Sequence, residues 1–165
     1  MFRRILVPID GSPTSGRGLD EAIKLAKDQN ATLCLLHVVD DLVMSVALDG
    51  AMDASGGYFD QLLNALREGG KTILAKAEAN VRRNGIACQS VLVETLGRSV
   101  ADVIIAQSKK RHADLIVLGT HGRRGITHVV MGSDAEGVVR STCVPVLLVR
   151  FPSGPRPHGA KRARK

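Results

Sequence analysis

Five short apolar runs punctuate the chain: "ILVPI" (5–9), "ATLCLLHVV" (31–39), "SVLVET" (90–95), "DLIVLGT" (114–120) and "VPVLLVRF" (144–151). None alternates cleanly between apolar and polar residues. Nearly continuous apolar strands are what a parallel sheet requires, because helices cover both of its faces. Between the runs the period changes to that of a helix. Leu19, Ala22, Ile23 and Ala26 share one face, with Ser12 placed as an N-cap and Pro13 at the first helical position. Phe59, Leu62, Leu63, Leu66, Ile73, Ala77 and Val81 mark a long helix, in which Gly69-Gly70 predicts a kink or a split. Ser99 with Asp102 resembles a capping box that opens a helix running to about Lys110. A fourth helix is expected from Ser133, with Ser133 as N-cap and Glu136 three residues on. Residues 40–58 show little period and are long for a loop in a compact domain, so a mobile, functional or partly helical segment is expected there.

The order β-α-β-α-β-α-β-α-β predicts an α/β fold, a doubly wound parallel sheet with helices on both faces. The 165 residues suffice for one domain with a real core. Aromatic residues are scarce, with no Trp, one Tyr and three Phe, so the core must be aliphatic and stacking platforms for single-stranded nucleic acid are nearly absent. The N-terminal apolar run is too short for a signal h-region, and no run reaches the roughly 18 apolar residues of a membrane span. Cys34, Cys88 and Cys143 are odd in number and lie among apolar neighbours. They read as buried free thiols of a reducing compartment, which points to the cytoplasm.

The formal charge of +7 is unevenly spread along the chain. Residues 152–165 carry Arg156, Lys161, Arg162, Arg164 and Lys165 with no acid, which leaves +2 for residues 1–151. The expected organisation is therefore a domain at 1–151 and a basic, disordered tail at 152–165. The high isoelectric point reads as a tail property rather than a basic nucleic-acid-binding face. The tail is read as a solvated end or as a weak electrostatic contact to a polyanion.

Three glycine-rich stretches invite a phosphate reading. "ALREGGKT" (65–72) fits a relaxed P-loop pattern, but its context is helical on both sides, whereas a P-loop follows a strand. "SGGYFD" (55–60) resembles the phosphate loop of ATP pyrophosphatases but does not follow the first strand. "GTHGRRGITHVVMGS" (119–133) leaves a strand and ends at a helix N-terminus, where unpaired N–H groups and the helix dipole favour an anion. Turn and cap chemistry would explain the same residues. Arg123 and Arg124 lie within this loop. His37 reads as a packed strand-end histidine and His121 as a loop residue. No nucleophile–base–acid set is present, so a dedicated enzyme is not supported, and at most slow ATP hydrolysis is expected.

The spacing G-x2-G-x9-G-S, at Gly119, Gly122, Gly132 and Ser133, resembles the ATP-binding signature of the universal stress protein family. "RILVPIDGS", "LHVV" and "VPVLLVR" resemble that family's first, second and last strands, so the likeness covers roughly residues 2–151. It implies an adenine nucleotide α-hydrolase-like, five-stranded parallel sheet in the order 3-2-1-4-5. It also implies ATP with Mg²⁺ held through the phosphates, and a homodimer through the last strand, Val144 to Arg150. By the same resemblance, Asp10 and the backbone at Val38 contact the nucleoside. Gly119 and Gly122 line the ribose and phosphates, and Gly132 and Ser133 hold the phosphates. Pro8, Met131 and Asp134 are neighbours of the site. Asp134 would repel a triphosphate if it pointed inward, and Asp10 reads equally as an Asx-turn residue. The function implied is a nucleotide-responsive regulator or protective factor in stress. The alternative is a protein-interaction module of the same fold that does not use nucleotide.

Overall fold

The computed structural model describes residues 1–40, 57–95, 97–120 and 131–150. The elements follow the expected alternation: β1 (Arg4–Pro8), α1 (Pro13–Gln29), β2 (Thr32–Val39), α2 (Gly57–Arg83), β3 (Cys88–Glu94), α3 (Val100–Lys110), β4 (Leu115–Gly119), α4 (Ser133–Ser141) and β5 (Val146–Val149). All strand pairs are parallel, in the order β3-β2-β1-β4-β5. Strand ends differ from the apolar runs by a residue or two, because the end residues extend beyond the ladder that closes with the neighbour.

The apolar runs hide a period of two. Ile5 and Val7 of β1 face the same core as Leu33 and Leu35 of β2 and Leu115 and Val117 of β4. Leu19, Ala22, Ile23 and Ala26 of α1, with Leu74, Ala77 and Val81 of α2, close that core. Leu6, Leu36, Ile116 and Leu118 point to the opposite face, where Ala101 and Ile104 of α3 and Val138 of α4 cover them. Both faces are thus buried, so an alternating pattern had no polar side to display.

Helix α1 begins as its sequence dictates. Ser12 Oγ accepts the Ser15 N–H at 3.1 Å and Pro13 takes the first turn. Asn30 closes the helix in the left-handed conformation, with its N–H on the Ala26 carbonyl. Helix α3 is capped by Ser99 Oγ, which accepts the Asp102 N–H at 3.1 Å and donates to Asp102 Oδ2 at 2.7 Å.

Three expectations are corrected. Helix α2 runs unbroken through Gly69-Gly70, which also removes the P-loop reading of residues 65–72. A Cβ on Gly70 would lie 2.5 Å from His37 Cδ2 and 2.9 Å from Leu92 Cδ1, so this glycine lets the helix seat closely on the sheet instead of bending it. Ser133 is the first residue of α4, and Gly132 is its N-cap. The cysteines are free thiols, but Cys143 is exposed and Cys34 and Cys88 are only partly buried. Most of the 40–58 segment lies outside the described residues; α2 begins inside it at Gly57.

Candidate functional site at the strand-order switch

Strands β1 and β4 are neighbours although the chain winds outward from them in opposite directions. Their following helices, α1 and α4, lie on opposite faces of the sheet. At such a reversal, beyond the strand C-termini, open α/β sheets form the crevice that takes ligands. The structure brings Pro8, Asp10, Gly119, Met131, Gly132, Ser133 and Asp134 to this end of the two central strands. Val38 is the penultimate residue of the adjoining strand β2 and is half-buried. Gly122, His121, Arg123 and Arg124 lie outside the described residues, as do Ser55 and Gly56 of "SGGYFD", whose remaining residues begin helix α2.

The β1 loop is held by its own chemistry. Ile9 N–H donates to the Leu36 carbonyl at 2.8 Å. Asp10 Oδ1 accepts the Ser12 N–H at 2.9 Å, an Asx turn, and Gly11 supplies the positive φ of 83° that the turn needs. One Asp10 oxygen is thereby committed to the backbone. His37 is buried, and its Nδ1 lies 2.7 Å from the Ile9 carbonyl. A carbonyl only accepts, so Nδ1 carries the proton and His37 acts as a strut beneath the loop rather than as a ligand.

The two described ends of the β4 loop are tied together. Thr120 N–H donates to the Val149 carbonyl and Gly132 N–H to the Thr120 carbonyl, each at 2.9 Å. The two ends of residues 120–132 are therefore pinned together at the sheet. Gly119 has a packing reason to be glycine: a Cβ there would meet the Thr14 carbonyl carbon at 2.9 Å, Thr14 Cγ2 at 3.0 Å and the Ser15 nitrogen at 3.1 Å. The end of β4 thus rests directly on the first turn of α1. Thr14, Ser15 and Thr120 are structural parts of the crevice that the sequence did not single out. Only the buried state of all three could have revealed them.

The two helix N-termini at the crevice differ. That of α1 is closed by the Ser12 side chain. That of α4 begins on Gly132, with no side-chain cap, and its exposed first residues are Ser133 and Asp134. Both helix ends carry the positive end of the dipole, but a side chain already takes one N–H at α1 and none caps α4. No group of three or more His, Cys, Asp or Glu residues that could hold a metal occurs among the described residues.

The same fold occurs in known proteins. The sequence pattern of the Universal stress protein family matches residues 1–150. The chain belongs to the universal stress protein family. Among its curated relatives is Universal stress protein YxiE of Bacillus subtilis, 32% identical over 151 residues, spanning 91% of this chain and all of that one. A crystal structure of a family protein from Burkholderia pseudomallei is 35% identical, with a TM-score of 0.68 over 88% of this chain and 93% of that one. The family member from Archaeoglobus fulgidus, solved in complex with dAMP, shares the fold at 21% identity, with a TM-score of 0.60 over 89% of this chain and 97% of that one. Among the described residues no helix is long and apolar enough to cross a membrane.

Proposed function

We propose that the β1/β4 crevice binds an adenine nucleotide, ATP with Mg²⁺ carried by its phosphates, and that the protein is a nucleotide-responsive regulator or protective factor in stress. The observation that carries this reading is the open N-terminus of α4 at the strand-order switch, with Gly132 in place of a capping side chain. The phosphates belong at Gly132 and Ser133, with Gly119 and Gly122 beside the ribose and phosphates. Asp10 and the Val38 backbone belong to the nucleoside, and Pro8, Met131 and Asp134 to its surroundings. The dAMP complex of the Archaeoglobus relative supports the adenine class. Residues 1–151 form the nucleotide-binding unit and 152–165 a basic appendage. Three free thiols suit a cytoplasmic setting. The open β5 edge suits a homodimer.

A nucleotide-independent interaction module has one observation in its favour. Asp10 and Gly119 have structural duties that need no ligand. The decisive test therefore avoids both. Calorimetric titration with ATP and Mg²⁺, on protein stripped of nucleotide, should show one site per chain. Gly132→Val should abolish it while circular dichroism stays unchanged. Full binding by a folded Gly132→Val protein would refute the phosphate assignment, and no binding by the native chain would favour the interaction module.

A further inference from the structure

In a parallel sheet every connecting helix runs back against the strands, so all helix C-termini gather at the strand N-terminal end, opposite the crevice. Each helix here ends in cations: Lys27 in α1, Arg82 and Arg83 in α2, Lys109 and Lys110 in α3, Arg140 in α4. Locally this is ordinary complementing of the helix dipole. The topology adds the four local choices into one face. Arg3 and Arg4 at the start of β1 and Arg111 at the C-cap of α3 join it, beyond anything the dipoles require. Nine cations thus stand against four carboxylates: Asp28, Glu78, Asp114, and Glu136, which pairs with Arg140 at 3.5 Å. Glu78 is paired with Arg82, and Asp114 accepts the Arg3 and Arg4 N–H groups at 2.8 and 3.0 Å. Among the described residues Arg3, Arg4, Lys27, Arg83, Lys109, Lys110 and Arg111 enter no salt bridge. The small net charge of residues 1–151 conceals this segregation: most of the net basicity stays in the tail, but the cations of the domain are unevenly placed.

Hydrogen bonds tie β1, α1, α3 and the turn after α2 together at this end. Arg4 Nε donates to the His112 carbonyl at 2.7 Å, joining β1 to the end of α3. Phe2 N–H donates to Gln29 Oε1 at 2.5 Å, joining β1 to the end of α1. Lys27 Nζ donates to Asn84 Oδ1 at 2.8 Å, joining α1 to the turn after α2. Between α1 and α2 lies a half-open, mainly polar cleft of about 350 Å³, lined by Lys27, Asn30, Thr32, Asn84 and Gly85 among others.

We propose that this basal face binds the phosphate backbone of duplex nucleic acid without reading its sequence. Duplex DNA carries one charge per roughly 1.7 Å of axis, and neutralising it releases counterions, so a face built of unpaired cations gains most from such a ligand. A single strand would need aromatic platforms, which this chain lacks. A bilayer surface would favour apolar anchors, and among the described residues only Met1 and Val139 are large, apolar and exposed at this end. The nucleotide crevice lies at the opposite end of the strands, so both ligands fit at once.

The test is fluorescence anisotropy of a labelled 24-base-pair duplex titrated with the full chain between 50 and 200 mM KCl. Native protein should bind with a strong inverse salt dependence. The combined variant Arg83→Gln, Lys109→Gln, Lys110→Gln should weaken binding roughly tenfold or more at 50 mM and flatten the log–log salt slope by about 3. Neutralising Arg156, Lys161, Arg162, Arg164 and Lys165 instead should cost less. Calorimetric ATP affinity should stay unchanged in both, which separates this face from the crevice. Three results would overturn the proposal: no duplex binding by the native chain at 50 mM, loss through the tail variant alone, or binding to phosphatidylserine vesicles in preference to the duplex.

Discussion

At the scale of single residues, local chemistry and packing make separate demands on the same positions. Gly119 belongs to the glycine signature, yet the atoms that forbid a side chain there are those of Thr14 and Ser15. Two of the three are backbone atoms and cannot swing away. Gly119→Ala should therefore destabilise the fold by about 1–3 kcal/mol, read as a lower urea midpoint at constant slope. A change below about 0.3 kcal/mol would show that α1 can retreat freely. The thiols are graded by environment. Burial pushes the Cys34 thiol up against the opposing charge of Arg111, and burial pushes Cys88 up against a hydrogen bond from Arg82. A raised thiol value means the fold favours the protonated form. That contribution is present at neutral pH and is lost as pH rises through the raised value. Ellman's reagent at pH 7.5 should label Cys143 quickly and the other two slowly, and the Cys34 rate should still be rising with pH beyond 9.0, where an ordinary thiol begins to level off. Three fast thiols in the folded protein would contradict this.

At the scale of elements, adjacent glycines of α2 carry opposite meanings. Nothing lies within 4 Å of a Cβ placed on Gly69, whereas one on Gly70 enters the His37 ring and Leu92. Gly69→Ala should stabilise the protein by about 0.5–1 kcal/mol through helix propensity alone. Gly70→Ala gains the same propensity but must displace the histidine that supports Ile9, and should be net destabilising by about 1–2 kcal/mol. Paired denaturation curves decide it, and shifts of the same sign would show that α2 does not press on the sheet. The helical period of the flanking leucines was legible, and so were the caps at Ser12 and Ser99, because each depends on residues within one turn. The continuity of α2 was not. Whether Gly-Gly breaks a helix depends on the partner surface, and here β2 and β3 supply it. The shift of the α4 cap from Ser133 to Gly132 has a similar cause. Gly132 is tied by its N–H to Thr120, which sets where the helix can start.

At the scale of the whole molecule, β5 is an edge strand with Leu147 exposed and Val146 and Leu148 half-buried. An apolar open edge is a template for pairing with a second chain. Light scattering on the proposed dimer should show dissociation on Leu147→Lys, with the circular dichroism spectrum kept. A dimer of unchanged mass would move the interface elsewhere. The molecule is also polar end to end. Acidic groups of the helix first turns, Asp102 and Asp134, lie toward the crevice, while the helix-terminal cations gather at the base.

What the sequence determined by itself was everything that depends on neighbours along the chain. That covers the alternation of strands and helices, the burial of both sheet faces implied by continuous apolar runs, two of the helix caps, and the family signature. The tertiary structure alone decided which loops leave neighbouring strands, because Asp10 and Gly132 come to the same end of the sheet only through the pairing of β1 with β4. It alone gave Gly70 and Gly119 their packing reasons and left the α4 N-terminus open. It alone turned scattered helix-end cations into a face, since charges far apart in sequence sum only after the strands are laid parallel.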